Sequence, residues 1–243
     1  MIKGFFTAIG FLTVIPVPFQ KDIDKKTIAL SSAFFPLVGL FIGGLIFMAN
    51  RFAPRFFPHN LSPAIVLCLW IIITRGLHLD GFVDTVDGLL GSRDREDSLI
   101  IMKDSRIGAL GATALVMLIL IKYLCLASIT DASAYALLFS PCLARWSQSL
   151  SIFLGPYARQ EGLGKVFVYG MKRRHFLFAL ITTVLVLFIM PHWKALASFL
   201  IVSLITFSFT FYLRKRLGGI TGDTIGFMSE INEVMVLMVF LTL

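Results

Sequence analysis

The sequence predicts an all-α, polytopic integral membrane helix bundle with about seven spans. Hydrophobic residues make up 57% of the 243-residue chain and charged residues only 15%, whereas soluble domains average about 45–50% and about 25%. Seven stretches approach the roughly 20 apolar residues that a membrane helix needs. Positive charge is also distributed unevenly among the connecting segments. These observations exclude an ordinary soluble domain and a disordered chain.

The predicted spans follow the apolar runs in order along the chain. They lie at residues 28–50, 62–90, 107–129, 133–154, 175–191, 193–213 and 224–243. The second run is long and becomes acidic, and the last contains Glu230 and Glu233, so the count allows six to eight spans. No repeat or long linker divides residues 1–243, which predicts a single membrane domain. Residues 1–19 are apolar but short, which predicts a segment that lies along the interface or tucks into the bundle.

Basic residues concentrate in the connecting segments on one side of the predicted bundle. Segments 18–27, 91–106, 155–174 and 214–223 hold fifteen Lys and Arg residues, and the opposite side holds three. The positive-inside rule therefore predicts that these four segments face the cytoplasm, with the chain in the inner membrane. Basic loops facing anionic lipid account for the net charge of +8, so no nucleic-acid partner is expected.

An acidic cluster marks the candidate site. Seven of the fourteen acidic residues lie within residues 80–104. Asp80, Asp84 and Asp87 are spaced i, i+4, i+7, which places them on one helical face. Three like charges in a membrane helix are costly unless they are neutralised, and aspartate oxygens suit Mg²⁺, which often binds substrate phosphates as well. The spacing therefore predicts a magnesium or phosphate–magnesium site, with a solvated acidic helix end as the alternative.

A second charged motif follows the acidic helix at residues 103–108. Asp104 is predicted to complete the metal coordination sphere, while Lys103 and Arg106 are predicted to bind phosphate oxygens. The alternative is that Asp104 or Ser105 caps the helix that follows. Capping by one residue leaves the neighbouring lysine and arginine unexplained, so the motif favours a role beside the acidic face.

Several charged residues lie within or beside apolar stretches, where charge indicates function or pairing. Arg145 is predicted either to pair with an acid of the second predicted span or to bind a phosphate. Glu230 and Glu233 share a helical face and are predicted to bind a cation, an amide-rich ligand or Arg145. Asp223 is interpreted as a helix cap or a substrate contact. Lys122 is interpreted as a side chain whose ammonium group reaches the membrane interface.

Taken together, these motifs resemble the adenosylcobinamide-GDP ribazoletransferases, also called cobalamin synthases. The matching segments follow the family order over nearly the whole chain. They are residues 11–18 (FLTVIPVP), 35–39 (FPLVG), 76–88 (GLHLDGFVDTVDG), 103–108 (KDSRIG), 144–146 (ARW) and 221–223 (TGD), followed by Glu230 and Glu233. The combination of HLDGxxDTxDG with KDSRIG is specific. Val14 replaces the basic residue expected in the opening segment, which weakens any functional role for that segment.

The resemblance implies an Mg²⁺-dependent membrane transferase. In its reaction a hydroxyl of α-ribazole, or of its 5′-phosphate, displaces GMP from adenosylcobinamide-GDP and gives adenosylcobalamin or its phosphate. The predicted catalytic and metal-binding residues are Asp80, Asp84, Asp87 and Asp104. The predicted substrate-binding residues are Lys103, Arg106, Arg145, Asp223, Glu230 and Glu233. A homo-oligomer, or a complex with other enzymes of cobalamin synthesis, is left open.

Two other functions fit part of the pattern. A CDP-alcohol phosphotransferase would share the DxxDG sequence at residues 84–88, but the Ala-Arg that should follow it and the later GxxxDxxxD are missing. A cation transporter would also carry acids in its membrane helices, but near the midplane and in repeated halves. The released nucleotide separates the three functions: GMP for the ribazoletransferase, CMP for the phosphotransferase, and none for the transporter.

Overall fold

The computed structural model describes residues 1–18, 23–190 and 193–243. Phe19, Lys21 and Pro191, which belong to predicted segments, lie outside these residues. The described chain is built of helices, as predicted. They are α1 (Ile2–Leu12), α2 (Lys25–Ser31), α3 (Phe35–Phe52), α4 (Ser62–Ile73), α5 (Leu77–Gly91), α6 (Arg95–Ile101), α7 (Ala109–Ala127), α8 (Ala136–Leu154), α9 (Leu163–Gly170), α10 (Arg173–Ile189), α11 (Trp193–Leu217) and α12 (Gly222–Thr242), with short 3₁₀ turns at Ser32–Phe34 and Ala53–Arg55.

The membrane-spanning helices match the prediction in class and only roughly in number. Within the described residues, four helical segments are long and apolar enough to cross a membrane. They are Lys25–Arg55, Ala109–Ala127, Trp193–Leu217 and Gly222–Thr242. Counting α4 and α5 as one bent span makes five. The predicted runs 133–154 and 175–191 correspond to α8 and α10, which are more polar or shorter than these four segments.

Helix α8 lies at the centre of the bundle rather than facing lipid. Every residue from 139 to 152 is buried, and α3, α10, α11 and α12 pack around it. This burial explains how a helix that carries Arg145, Gln148 and several serines is accommodated, since its polar groups can find partners on the surrounding helices. Polar and charged side chains therefore lie among the apolar core residues at the centre of the bundle.

Helices α3 and α8 approach closely at Gly39 and Gly43 of α3, whose G-x-x-x-G spacing is typical of close helix packing. A Cβ atom at Gly39 would overlap the carbonyl oxygen of Pro141 and lie 2.8 Å from the Cα atom of Cys142. A Cβ atom at Gly43 would lie 2.7 Å from the carbonyl oxygen of Leu137. The two backbones are thus in direct contact, which any larger side chain at these positions would prevent.

The predicted second span is not continuous, which corrects the prediction for residues 62–90. Helices α4 and α5 meet at 88°, because Arg75 and Gly76 adopt left-handed backbone conformations with φ of 55° and 60°. The Arg75 guanidinium donates hydrogen bonds to the carbonyl oxygens of Gly10 and Phe11 at 2.8 and 3.1 Å, which ties the bend to the end of α1. The bend directs α5, which carries the acidic motif, onto α7 and α12.

Candidate active site

The candidate site forms where α5 crosses the first turn of α12. A Cβ atom at Gly81 would lie 2.8 Å from the Cα atom of Asp223, so only glycine lets the two backbones touch here. The contact places Asp80 and Asp84 of α5 beside Asp223. Asp84 accordingly lies in the field of the negative charges of both Asp80 and Asp223. Two acidic motifs that are distant in sequence therefore form one acidic cluster.

The loop that follows α8 is held beside this acidic cluster by the turn that precedes α12. Gly218 and Gly219 have positive φ angles of 78° and 157°, which glycine adopts without strain. The Ile220 amide donates to the carbonyl oxygen of Pro156 at 2.8 Å, and the Ala158 amide donates to that of Ile220 at 2.9 Å. These two hydrogen bonds fix the loop against the start of α12, one residue before Arg159.

Arg159 is the functional candidate that sequence reasoning missed. Its guanidinium forms an ion pair with Asp223 at 2.6 Å and donates to the carbonyl oxygen of Met102 at 3.2 Å. The side chain is 13% exposed, and its buried Nε has no hydrogen-bond partner among the described residues. The glycines and mixed charges of residues 157–165 were the only signal, because the pairing depends on a tertiary contact.

These groups line a cavity of about 260 Å³. Its charged wall contains Asp80, Asp223 and Arg159, and its neutral polar wall contains His78 and Gln148. The remaining wall is apolar and includes the side chains of Phe11, Phe35 and Phe167. A concave site with a few convergent polar groups on an apolar wall is the usual form of a small-molecule binding site.

A buried ion network lies behind the cavity and involves Lys122, Arg145, Glu230 and Glu233. Lys122 pairs with Glu230 and, at 2.5 Å, with Glu233, which also pairs with Arg145. The prediction that the Lys122 ammonium reaches the membrane interface was wrong. Lys122 is only 3% exposed, and its ammonium contacts Glu230 and Glu233. Arg145 pairs with Glu233 of α12, as predicted for the glutamates, and not with an acid of the second predicted span. The network contains two positive and two negative charges.

His78 connects this network to the cavity. Arg145 Nη2 lies 3.3 Å from His78 Nδ1, and Gln148 Nε2 lies 2.7 Å from His78 Nε2. His78 and Gln148 line the cavity, whereas Arg145, Glu230 and Glu233 are not among its lining residues. In this structure Arg145, Glu230 and Glu233 therefore do not contact the cavity. They form a second layer, which reaches the cavity lining through the contact of Arg145 with His78.

Asp87 caps helix α7 across the bundle. Its two carboxylate oxygens accept hydrogen bonds from the amides of Gly108 and Gly111, both at 2.8 Å. The N-cap residue of α7 is Gly108, which has no side chain to cap the helix, so the alternative of capping by Asp104 or Ser105 does not hold. A negative charge at a helix N-terminus is favourable because it complements the helix dipole. The glycines of this segment leave the space that the Asp87 carboxylate occupies.

Replacing Asp87 by asparagine is expected to lower the free energy of unfolding by about 0.5–2 kcal/mol, the range found for lost helix caps. The amide retains only one accepting oxygen, so one of the two glycine amides loses its partner. Thermal unfolding of the detergent-solubilised protein measures the change. Asp131→Asn is the control, because Asp131 is exposed and its ion pair with Arg51 spans 3.5 Å. Equal melting temperatures for the two variants would contradict the capping role.

The motif at residues 103–108 lies at the surface beside the cavity. Lys103 is exposed, and the Arg106 side chain is 88% exposed. Hydrogen bonds from the Arg106 side chain lower the pKa of Asp104 to about 2. The residue before this segment, Met102, contacts the site through its carbonyl oxygen, which accepts a hydrogen bond from Arg159. The charged side chains of the motif are thus available to a ligand that extends out of the cavity.

The predicted four-aspartate metal site is not assembled in this structure. Among the described residues, no group of three or more His, Cys, Asp or Glu side chains is arranged to hold a metal ion. The carboxylate of Asp87 accepts hydrogen bonds from the start of α7, and the carboxylate of Asp104 pairs with Arg106. Both carboxylates are therefore engaged with other partners than Asp80 and Asp84. The chemistry of the Asp80, Asp84 and Asp223 cluster still suits Mg²⁺, because its donors are all carboxylate oxygens.

The family model of the cobalamin-5-phosphate synthases (CobS) matches residues 4–241 of this chain.

 

Curated relatives extend this match over nearly the full chain. A protein of Geotalea daltonii named adenosylcobinamide-GDP ribazoletransferase is 36% identical over 238 residues, which cover 98% of this chain and 96% of its own. A protein of the same name from Caldanaerobacter subterraneus is 37% identical over 243 residues, and the match covers 98% of this chain and 98% of that protein. No solved structure matches.

The comparisons separate the three functions that the sequence pattern left open. They favour neither a CDP-alcohol phosphotransferase nor a cation transporter, and they confirm the resemblance drawn from the motifs at residues 76–88 and 103–108. The described fold agrees, since it is a helical bundle with several apolar helices long enough to cross a membrane. With its family model matched from residue 4 to residue 241 and its relatives named as transferases, the chain belongs to the cobalamin-5-phosphate synthase family.

Proposed function

We propose that this chain is an adenosylcobinamide-GDP ribazoletransferase and that the cavity between α5, α12 and the loop at residues 155–162 is its active site. The observation that carries the proposal is the convergence of two family motifs on that cavity. Asp80 comes from the motif at residues 76–88 and Asp223 from the motif at residues 221–223, and both line the cavity. The proposed substrates are adenosylcobinamide-GDP and α-ribazole or its 5′-phosphate.

The proposed reaction is a displacement at the diphosphate of adenosylcobinamide-GDP. The acceptor hydroxyl forms a new bond to the phosphorus that carries the cobinamide, the bond from that phosphorus to the bridging oxygen breaks, and GMP leaves. A carboxylate of the Asp80, Asp84 and Asp223 cluster accepts the proton of the hydroxyl. A cavity of about 260 Å³ is too small for the whole corrinoid nucleotide, so the reacting groups enter it and the rest lies outside.

Arg159 is proposed to bind the phosphate oxygens of the substrate. An arginine suits this role because its planar guanidinium can donate two parallel hydrogen bonds to a phosphate. Its pairing with Asp223 at 2.6 Å holds the guanidinium at the cavity wall before substrate binds. Lys103 and Arg106, which are exposed beside the cavity, are proposed to contact the part of the nucleotide that extends outside.

Mg²⁺ is proposed as the cofactor, held by Asp80 and Asp84 with Asp223 beside them. The support is the chemistry of the donors, since three carboxylates near a single arginine leave negative charge that a divalent cation would neutralise. When bound, Mg²⁺ would stabilise the negative charge that develops on the diphosphate as GMP leaves. His78 and Gln148, which also line the cavity, are proposed to position polar groups of the acceptor.

The chain is membrane-embedded, and we place it in the inner membrane with the cavity facing the cytoplasm. Contacts among three of the basic segments support this orientation. Arg95 Nε donates to the carbonyl oxygen of Leu217 at 2.7 Å, and Arg216 Nη2 donates to that of Ser92 at 2.6 Å. Arg95 also donates to the carbonyl oxygen of Ala158 at 3.3 Å. These segments therefore lie together at one end of the bundle, as the positive-inside rule requires.

GMP release by the purified protein tests the proposed function. The protein in liposomes is expected to release GMP and form a cobalamin product from adenosylcobinamide-GDP and α-ribazole when Mg²⁺ is present. Asp84→Asn is expected to reduce turnover by at least about 100-fold, the lower range for a group that stabilises charge in the transition state. Arg159→Gln is expected to raise the KM for adenosylcobinamide-GDP.

The matched control is Asp97→Asn, because Asp97 is an exposed acid in α6 on the same side of the bundle. This variant is expected to turn over at the wild-type rate. A folded wild-type protein that releases no GMP would overturn the proposed function. Turnover that survives Asp84→Asn, or that persists in EDTA, would keep the function and overturn the proposed metal site.

A further inference from the structure

A second cavity lies away from the candidate active site, between α2, α9 and the start of α10. It has a volume of about 590 Å³. Five cationic side chains line it: Lys25, Lys26, Lys165, Lys172 and Arg174. No acidic residue is among its described lining residues. A concentration of positive charge without acidic residues in one concave surface indicates an anionic ligand.

Of the five cationic groups, Lys165 Nζ donates a hydrogen bond to the carbonyl oxygen of Gln160 at 2.6 Å and Arg174 Nε donates to His175 Nε2 at 3.4 Å, and both contacts leave the positive charge unneutralised. Within residues 1–18, 23–190 and 193–243, none of the five forms an ion pair with an acidic side chain. Asp24 precedes Lys25, but its carboxylate accepts a hydrogen bond from the Thr27 amide at 2.8 Å and caps α2. The charge of the cavity is therefore not neutralised by the described part of the protein.

The rest of the cavity wall is apolar, which distinguishes lipid from a small soluble anion. Ala29, Leu30 and Val166 line the cavity beside the aromatic ring of Tyr169, which is 67% exposed. A smaller cavity of about 340 Å³ shares Leu30 and is lined further by Phe178. An inorganic phosphate would leave this apolar surface exposed to water, whereas the acyl chains of a phospholipid would cover it.

The position of the cavity in the bundle agrees with a lipid ligand. Lys25 begins the span Lys25–Arg55, and Arg174 lies in the first turn of α10. Tyrosine is enriched at the boundary between membrane and water, where Tyr169 would lie. Basic side chains at the cytoplasmic boundary attract anionic phospholipids. The cavity thus combines headgroup-binding charge with an apolar wall at the level where headgroups lie.

The geometry points to a binding site for one anionic phospholipid, with its phosphate held by Lys26, Arg174 and their basic neighbours and its acyl chains along Leu30 and Phe178. The site is separate from the proposed active site and does not depend on the proposed reaction. A bound lipid at this position would bridge α2, α9 and α10, and α9 directly follows the loop that carries Arg159.

Native mass spectrometry of the full chain in detergent tests the site. The probes are phosphatidylglycerol and phosphatidylcholine with identical acyl chains, and inorganic phosphate as a competitor. The wild-type protein is expected to bind phosphatidylglycerol at least about tenfold more tightly than phosphatidylcholine. The double variant Lys26→Gln/Arg174→Gln is expected to lose at least about tenfold in affinity for phosphatidylglycerol. Millimolar inorganic phosphate is expected to leave the lipid bound.

The matched control is Arg93→Gln/Arg214→Gln, which removes two exposed positive charges from predicted cytoplasmic segments outside the cavity. Its affinity for phosphatidylglycerol is expected to equal that of the wild type. An equal loss in both double variants would show attraction to the whole basic surface and overturn the site. Displacement by inorganic phosphate would overturn the lipid assignment. If the first variant unfolds, Lys25→Gln/Lys26→Gln provides the same test with two exposed residues of α2.

Discussion

Replacing Glu233 by glutamine is expected to lower the free energy of unfolding by about 3–5 kcal/mol, the cost of breaking a buried ion pair by removing one partner. Glu233 is 1% exposed and pairs with both Lys122 and Arg145. Without its charge, Glu230 alone faces two cations within the bundle. Denaturation of the detergent-solubilised protein, followed by helical circular dichroism, measures the loss.

Three further variants make this prediction specific. Glu230→Gln is expected to cost less, because Glu230 pairs with Lys122 but not with Arg145. Glu161→Gln is the control, since Glu161 is exposed in a loop, and no change is expected. Arg145→Met combined with Glu233→Met is expected to recover part of the loss, because it leaves Lys122 and Glu230 as a neutral pair. A stability of Glu233→Gln equal to that of Glu161→Gln would contradict the ion network.

Replacing Gly39 by alanine is expected to lower the free energy of unfolding by about 1–3 kcal/mol, the cost of overpacking a close contact. The new methyl group would overlap the carbonyl oxygen of Pro141 and lie 2.8 Å from the Cα atom of Cys142. Both obstacles are backbone atoms, which cannot move aside as a flexible side chain can. The contact is relieved only if α3 and α8 separate.

Gly44→Ala in the same helix is the matched control. A Cβ atom there has no neighbour within 4 Å, and alanine favours a helix over glycine by about 1 kcal/mol. This variant is therefore expected to be as stable as the wild type or more stable. Thermal unfolding of both variants gives the comparison. Equal effects of the two substitutions would show that the contact between α3 and α8 does not limit stability.

The acidic motif shows what helical spacing can and cannot predict. The i, i+4, i+7 spacing correctly places Asp80, Asp84 and Asp87 on one helix, because that depends only on local geometry. It does not reveal that Asp87 accepts hydrogen bonds from the start of α7, since this depends on how two helices cross. The amide of Gly108, a residue of the charged motif at residues 103–108, donates one of the two hydrogen bonds that Asp87 accepts.

The buried polar residues show the same limit. The presence of Arg145 and Glu233 in apolar stretches predicts that they need partners, and hydropathy alone is sufficient for that conclusion. Position along a single helix predicts that the Lys122 ammonium reaches the interface, but its partners, Glu230 and Glu233, lie on another helix, α12. Arg159 was missed because it lies in a loop, and its position depends on the hydrogen bonds between residues 156–158 and Ile220.

The ion network also has a consequence for how the protein is made. The two cations, Lys122 and Arg145, belong to α7 and α8, whereas both acids belong to α12, which the ribosome synthesises later. Until α12 inserts, Lys122 and Arg145 lack the glutamates that neutralise them in the folded protein. Unpaired charges within a membrane are costly. Insertion of α12 then neutralises both at once. Insertion of α12 therefore stabilises the bundle as its last step. Chains that stop before α12 are expected to be more susceptible to cleavage by membrane proteases.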